Sequence, residues 1–297
     1  MRGPPHTGIS AGRRRPTAGS PGSGWIWSIS CDRPSTPDRP AMPGERDTSV
    51  PTERSAERYE GRSRRILYGR RQGRPLRPGR RRLLRELLPE IRIDPPPPGG
   101  VLDPAALFAF RPEAIWLEIG FGSGEHLAWQ AARSPGVGLL GAEHFVNGVA
   151  ALLGEIEAHG LDNIRILQGD ARALIDALPA ESLARVFVLF PDPWPKTRHH
   201  KRRLIQRETL TRLATLMSDG AELRIATDDP AYQRWILEQA AHPAVCWLAE
   251  GPGDWRTRPA DWPPTRYEQK AIADGRRPAF LRFRRQARRE SSAAREG

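Results

Sequence analysis

From Ala114 to Phe283, apolar residues fall in short runs of strand length, and amphipathic stretches of helical period fill most of the gaps. The strand runs are 114–119 (AIWLEI), 137–143 (VGLLGAE), 163–168 (NIRILQ), 184–190 (ARVFVLF), 221–227 (AELRIAT), 244–249 (AVCWLA) and 279–283 (AFLRF). Helical patterns cover 124–133, 146–159, 171–178, 203–217 and 230–241. Near-continuous apolar strands separated by helices predict a parallel sheet covered on both faces. The expected fold class is therefore α/β, a doubly wound and mostly parallel seven-stranded sheet with one late antiparallel strand. The last run reads as a sheet-edge strand. No internal repeat is present.

Upstream of this region the pattern breaks down. Residues 1–50 hold 8 Pro, 7 Gly and 7 Ser with almost no apolar period. Such a segment cannot bury enough surface to offset the entropy of ordering it. A disordered basic tail is expected over 1–57, either a true tail or translated sequence ahead of a start near Met42. The stretch before Asp32 has no acid and carries Arg13, Arg14 and Arg15, so an organelle transit peptide shares its composition. The apolar stretch Trp25-Ile26-Trp27 is too short for a secretory signal. Residues 58–100 form a second unit. Twelve Arg and one acid, Glu60, lie between Arg58 and Arg85. A run of one sign repels itself unless a polyanion or acidic surface neutralises it. Ile66, Leu67, Tyr68, Leu83 and Leu84 offer anchors onto a fold, and Pro95 to Gly100 reads as a stiff linker. The main domain is expected over 101–286 and a disordered C-terminal tail over 287–297.

Charge narrows the partners. The 297 residues include 47 Lys+Arg against 35 Asp+Glu, a formal net charge of +12, which points to an anionic partner with nucleic acid first. Cys31 and Cys246 make neither a disulfide framework nor a zinc site, so a reducing, cytoplasmic setting fits. No apolar run approaches the roughly 18 residues of a membrane span. Monomer and homodimer both accord with the sequence.

Ligands of doubly wound sheets bind outside the carboxyl ends of the strands. Those ends carry Glu118, Glu143, Asp170, Asp192 and Asp228, five acids expected to converge on one rim. The first strand runs into Glu118-Ile119-Gly120-Phe121-Gly122-Ser123-Gly124 and then a helix. Glycines permit a tight turn and close backbone approach to a ligand, and a helix N-terminus offers free N–H groups. A dinucleotide fingerprint would be G-x-G-x-x-G, whereas position 125 is Glu. Glu143, 21 residues past Gly122, suits a ribose diol. Asp170 suits an adenine amino group, and Glu118 suits the positive amino group of a methionine moiety. S-adenosylmethionine thus fits better than NAD.

The fourth strand ends in Phe190-Pro191-Asp192-Pro193-Trp194-Pro195-Lys196. Three prolines stiffen this loop and hold Asp192 where it can accept from a base edge. Trp194 is expected to pack under the loop. Lys196, Arg198, Lys201, Arg202 and Arg203 form a phosphate-binding patch. His199 and His200 are expected to touch RNA, because no third metal ligand has suitable spacing.

The run FPDPWPKTRHHKRR, following LEIGFGSGEH, GAEHFVNG and LQGDA, resembles bacterial tRNA (guanine-N7)-methyltransferases. Arg224 to Asp228 and Pro264 to Glu268 agree, as does the upstream RRQGRPLRPG. The resemblance spans about Ile66 to Arg285, with no counterpart for residues 1–50. Phe280-Leu281-Arg282-Phe283 departs from the D-L-x-F common in that family. The resemblance implies a Rossmann-like class I methyltransferase that moves a methyl from S-adenosylmethionine to N7 of guanine 46 in the tRNA variable loop. It implies that Glu118, Glu143, Asp170 and Asp192, with the loop glycines Gly120 and Gly122, bind the cofactor, and that Asp192 is also catalytic. Lys196, Asp228, Thr265, Arg266, Tyr267 and Glu268 would bind substrate, and Arg198 to Arg203 would contact RNA. The rival readings are an exocyclic-amine methyltransferase, a non-catalytic RNA-binding module and, last, an NAD-dependent oxidoreductase.

Overall fold

The computed structural model describes Gly69 and residues 71–288. The expected tail over 1–57, Ile66, Leu67 and Tyr68 of the arm, and 289–297 lie outside the described residues. The sheet strands are β1 (Ala114–Ile119), β2 (Val137–Glu143), β3 (Ile164–Gln168), β4 (Leu183–Leu189), β5 (Met217–Thr227), β6 (Val245–Trp247) and β7 (Ala279–Arg285). They form one seven-stranded sheet in the order β3-β2-β1-β4-β5-β7-β6. β1 to β5 run parallel to one another, and β7 pairs antiparallel with both β5 and β6. The strand order reverses between β1 and β4, and this switch point opens the crevice where such sheets hold ligands.

One sequence expectation is corrected here. The strand containing Phe280 to Phe283 is not at the edge. It lies between β5 and β6, with Leu281 paired to Ile225 and Phe283 to both Leu223 and Trp247. Ala279, Phe280, Leu281 and Phe283 are all buried, and the edge falls instead to the three-residue β6. Such a short edge strand presents little unpaired backbone to other chains. The opposite edge, β3, is met by the chain at Arg92 and Ile93, where the Ile93 N–H donates to the Ile166 carbonyl at 2.8 Å.

Helices α1 (Pro78–Glu86), α2 (Leu88–Ile91), α3 (Glu125–Arg133) and α4 (Val146–His159) pack with the β1–β3 half of the sheet. Helices α5 (Ala171–Ala177), α6 (Arg207–Leu216) and α7 (Pro230–Ala240) serve the core of the other face. Two short helices, α8 (Gly253–Arg256) and α9 (Arg266–Ala273), interrupt the irregular stretch before β7. All seven residues of β2 are buried, as expected of a strand covered on both sides. The pattern at 203–217 divides differently from its reading as one helix. Thr197–Arg202 form a 3-10 turn, α6 starts only at Arg207, and β5 begins directly after α6 at Met217.

The basic arm is anchored through α1. Pro78 opens the helix, where its missing N–H costs nothing. Leu83 is buried and Leu84 half-buried in the cluster that contains Leu152, Leu153 and Ile156 of α4. The Arg80 guanidinium donates to the Ala150 and Ala151 carbonyls of α4. Gly154 makes this possible, because a Cβ there would stand 2.1 Å from that guanidinium. Ahead of α1, Asn147 clamps the arm backbone: its Oδ1 accepts from the Gly73 N–H at 2.7 Å and its Nδ2 donates to the Arg74 carbonyl at 2.8 Å.

Candidate active site

The glycine loop after β1 and the proline loop after β4 face each other across the switch point. Gly120 and Gly122 have φ of 73° and 57°, a region that disfavours any side chain with a Cβ. A Cβ at either would meet nothing within 4 Å, so these glycines serve the turn and leave open space beside it. Position 148 was not singled out from sequence, yet a Cβ there would lie 2.2 Å from the Gly122 carbonyl oxygen. The available signal was a glycine near the start of an otherwise good helix pattern.

The expected acids take different places. Glu143 is buried and accepts N–H bonds from Gly122, His144 and Phe145, each at 2.8 Å. A carboxylate has about four acceptor positions, so a two-point grip on a ribose diol requires one of these bonds to be given up. Asp170 caps α5, accepting from the Arg172 N–H at 3.0 Å and from its guanidinium at 2.6 Å. Glu118 and His126 are each only 2% exposed and meet at 2.7 Å. Glu143, Asp170 and Asp192 line one large open cleft together with Gly120, Gly122 and the cationic turn at Lys201 and Arg202. Glu118, His126, Thr265 and Tyr267 line a smaller cavity, about 140 Å³, beside the same glycines. Asp228 lines neither cavity. It is paired with Arg276 instead.

The proline loop is strained at both ends. Phe190 and Trp194 have φ of 51° and 44°, a conformation that costs an ordinary residue about 1–2 kcal/mol. The Phe190 N–H donates to the Ala226 carbonyl at 2.8 Å, which ties the loop to β5. Between the strained residues Asp192 is exposed. Its charge adds to burial in holding the Tyr267 phenol above its ordinary range, so the Asp192 carboxylate and α9 share one electrostatic environment. Tyr267 stacks against Phe190 with ring centres 5.0 Å apart. Trp194 lies edge-on to His199 at 5.9 Å, with the Arg202 guanidinium 5.0 Å from its ring.

The cationic patch is smaller than its sequence suggests. Lys196, Arg198 and Lys201 are exposed and Arg202 is partly so. Arg203, expected among the RNA contacts, is only 4% exposed. Its Nε donates to the Pro193 carbonyl at 2.8 Å, and its guanidinium lies 4.9 Å from the rings of both Tyr232 and Trp235. That side chain fastens the proline loop to α7 and has no face for phosphate. His200 packs against Trp235 at 5.3 Å. His199 is pushed below the ordinary histidine range, first by loss of solvent and then by Arg202, Arg198, Lys196 and Lys201.

The Thr265 to Glu268 segment also has structural work. Thr265 caps α9, its hydroxyl accepting from the Glu268 N–H at 3.2 Å. The Arg266 N–H donates to Glu125 Oε2 at 2.7 Å, and its guanidinium pairs with the same carboxylate. Glu268 is 5% exposed, 3.3 Å from Arg258 Nε, and burial raises its carboxyl. Tyr267 alone of the four is a large, exposed apolar surface. Among the described residues no group of three or more His, Cys, Asp or Glu is placed to hold a metal ion. No helix among them is long and apolar enough to cross a membrane.

Comparison with known proteins accords with this geometry. The family described as "Putative methyltransferase" matches residues 112–280. A tRNA (guanine-N(7)-)-methyltransferase of Rhodospirillum rubrum is 52% identical over 228 residues, covering 75% of this chain and 88% of that protein. One from Ruegeria pomeroyi is 51% identical over 229 residues, covering 75% of this chain and 96% of the relative. One from Ruegeria sp. is 50% identical over 227 residues, covering 75% and 88% respectively. With relatives at this identity spanning three quarters of its length, the chain belongs to the tRNA (guanine-N7)-methyltransferase family.

Proposed function

We propose that this protein is a cytoplasmic tRNA-modifying enzyme that transfers the methyl group of S-adenosylmethionine to N7 of guanine 46 in the tRNA variable loop. One observation carries the reading beyond family membership. The glycine loop and the strained Pro-Asp-Pro-Trp loop line a common cleft at the sheet's switch point, and a cationic turn forms part of its wall.

The residues present suit the cofactor. Gly120 and Gly122 leave an open cradle, and Glu118 offers a buried carboxylate to an ammonium group in the small cavity. Glu143 and Asp170 lie beside the cradle for ribose and adenine, and Asp192 borders it from the facing loop. When bound, S-adenosylmethionine supplies a methyl carbon already activated by a sulfonium.

The chain's own residues have a light task. Guanine N7 carries a free lone pair, so no proton need leave before attack and no strong base is required. Rate then comes from orientation and in-line approach. Asp192 acts as an acceptor for the guanine edge, held in place by the prolines and by Arg203 on the Pro193 carbonyl. Tyr267 offers a face on which an unstacked base can lie. Asp228 and Glu268 serve from behind, the first through Arg276 and the second through Arg258. Lys196, Arg198, Lys201 and Arg202 supply phosphate contacts, with Arg71, Arg74, Arg77, Arg81 and Arg85 of the arm extending them.

The test is methyl transfer itself. The full chain is incubated with labelled S-adenosylmethionine and unmodified tRNA, and the nucleosides are resolved by mass spectrometry. Label in 7-methylguanosine, lost when guanine 46 is replaced by adenine, is the expected result. Label in an N-methylated exocyclic amine overturns the assigned target atom. Tight tRNA binding without transfer overturns the enzyme reading.

A further inference from the structure

The buried histidine beside Glu118 forms part of a hydrogen-bond chain whose direction can be worked out atom by atom. Gln130 Nε2 lies 2.8 Å from the Asp261 carbonyl oxygen and 3.1 Å from His126 Nε2. The Asp261 carbonyl can only accept, so the Gln130 atom facing it is the amide nitrogen and not the oxygen. That nitrogen carries two protons, and the second points to His126 Nε2. His126 Nε2 therefore accepts. A neutral imidazole has one proton, which must then sit on Nδ1. Nδ1 is 2.7 Å from Glu118 Oε2, so His126 donates and Glu118 receives.

The three side chains of this chain are withdrawn from bulk water. Glu118, His126 and Gln130 are all buried. The imidazole is flanked edge-on by Phe187 at 4.6 Å and by Trp262 at 6.3 Å. With one oxygen committed to His126, the acceptor capacity Glu118 has left is available to a ligand in the small cavity that both residues line. The far end of the chain, Asp261, lies in the segment that leads through Trp262 to the α9 cap at Thr265.

We propose that His126 is a positioning residue for the cofactor: locked by Gln130 as the Nδ1-protonated tautomer, it aims the Glu118 carboxylate at the ammonium of the cofactor's amino-acid moiety. The proposal rests on the reading of this cavity as the cofactor's amino-acid site. Its specific consequence is that losing His126 penalises ligands that carry the ammonium and spares those that lack it.

Two ligands separate these cases in calorimetry on the full chain: S-adenosylhomocysteine, which has the amino acid, and 5′-methylthioadenosine, which does not. In His126→Phe, which keeps a ring between Phe187 and Trp262, affinity for S-adenosylhomocysteine should fall roughly 10- to 100-fold, the value of one charge-assisted hydrogen bond. Affinity for 5′-methylthioadenosine should change by less than about 3-fold. His126→Asn, which keeps an N–H near the Nδ1 position, should recover most of the loss. Equal weakening of both ligands, or of neither, overturns the positioning role while leaving the cofactor reading intact. Failure of the unmodified protein to prefer S-adenosylhomocysteine over 5′-methylthioadenosine overturns both. Nitrogen NMR of the unmodified chain gives a readout that depends on no variant's folding. The His126 ring is expected as the Nδ1–H tautomer, and an Nε2–H or doubly protonated ring overturns the assignment.

Discussion

A Cβ placed on Gly148 would stand 2.2 Å from the carbonyl oxygen of Gly122. Helix α4 and the glycine loop lie this close only because position 148 has no side chain. The neighbouring loop atom is backbone, so it cannot swing aside as a side chain could. In Gly148→Ala the loop and the helix must move apart, which disturbs the Gly122 N–H bond to Glu143, 2.8 Å long. Calorimetry with S-adenosylhomocysteine should show at least a roughly tenfold loss of affinity, in line with misplacement of a binding loop. Urea unfolding should show a loss of about 1–3 kcal/mol from overpacking. Unchanged affinity would mean that the loop is freer than its packing against α4 indicates.

Asp192 differs from the other strand-end acids in being exposed, and among the described residues its side chain makes no hydrogen bond or ion pair that a substitution would break. Asp192→Asn should leave stability within about 0.5 kcal/mol while turnover falls by roughly 100-fold or more, the scale for losing one preorganised polar group at a reacting centre. An independent signal accompanies this. The charge of Asp192 helps hold Tyr267 above its ordinary range, so in the variant the Tyr267 phenol should titrate at lower pH in an ultraviolet absorbance scan. Near-normal turnover would remove Asp192 from the chemistry.

The strands most readable from sequence are those whose apolar run is unbroken. β1, β2 and helix α4 begin and end at the residues expected, because burial on both faces leaves no ambiguity of period. The placement of β7 was not readable. Its pattern of apolar residues and arginines resembles an edge, and only the pairing with β5 and β6 shows it to be internal. Lys201, Arg202 and Arg203 are chemically alike in sequence. What separates Arg203 is two aromatic rings on α7, Tyr232 and Trp235, which come near only in the folded chain. His126 closes the run LEIGFGSGEH, yet nothing in that run assigns it a role. Its role emerges from Gln130 one turn later and from Asp261, 131 residues away from Gln130.

This separation of Arg203 from its neighbours can be measured through salt. Each phosphate contact contributes about −0.7 to −0.9 to the slope of log K against log salt, so six contacts give roughly −4 to −5. Removing Lys196 and Lys201 together should flatten the slope for tRNA binding by roughly 1.5, with little change in thermal stability. Arg203→Met should do the reverse. The slope stays as it was, while the protein loses about 2–4 kcal/mol of stability with the buried guanidinium and its bond to Pro193. Fluorescence anisotropy over a salt series, paired with urea unfolding, reads both. A flattened slope in Arg203→Met would return that residue to the RNA surface.

Tyr232 links stability to alkaline pH. Its side chain is fully buried, its hydroxyl accepts from the Ile205 N–H at 3.3 Å, and burial pushes its phenol up to about 12, with Asp192 adding to the shift and Arg203 opposing it. An unfolded tyrosine titrates near 10. Between these values the folded chain holds a proton that the unfolded chain has released, so stability falls as pH rises. The contribution is whole below about pH 10 and is lost on passing through about pH 12, an amount of roughly 2–3 kcal/mol. Tyr232→Phe lacks this proton, although it also gives up the hydroxyl that meets Ile205 and should start about 1 kcal/mol less stable near neutrality. Urea midpoints measured at intervals from pH 9 to pH 12 should therefore converge and then cross near about pH 11, the unmodified protein losing stability more steeply than the variant. Other lysines and tyrosines titrate in both proteins and cancel in the difference. Parallel curves would mean that the phenol ionises without opening the contact between α7 and Ile205.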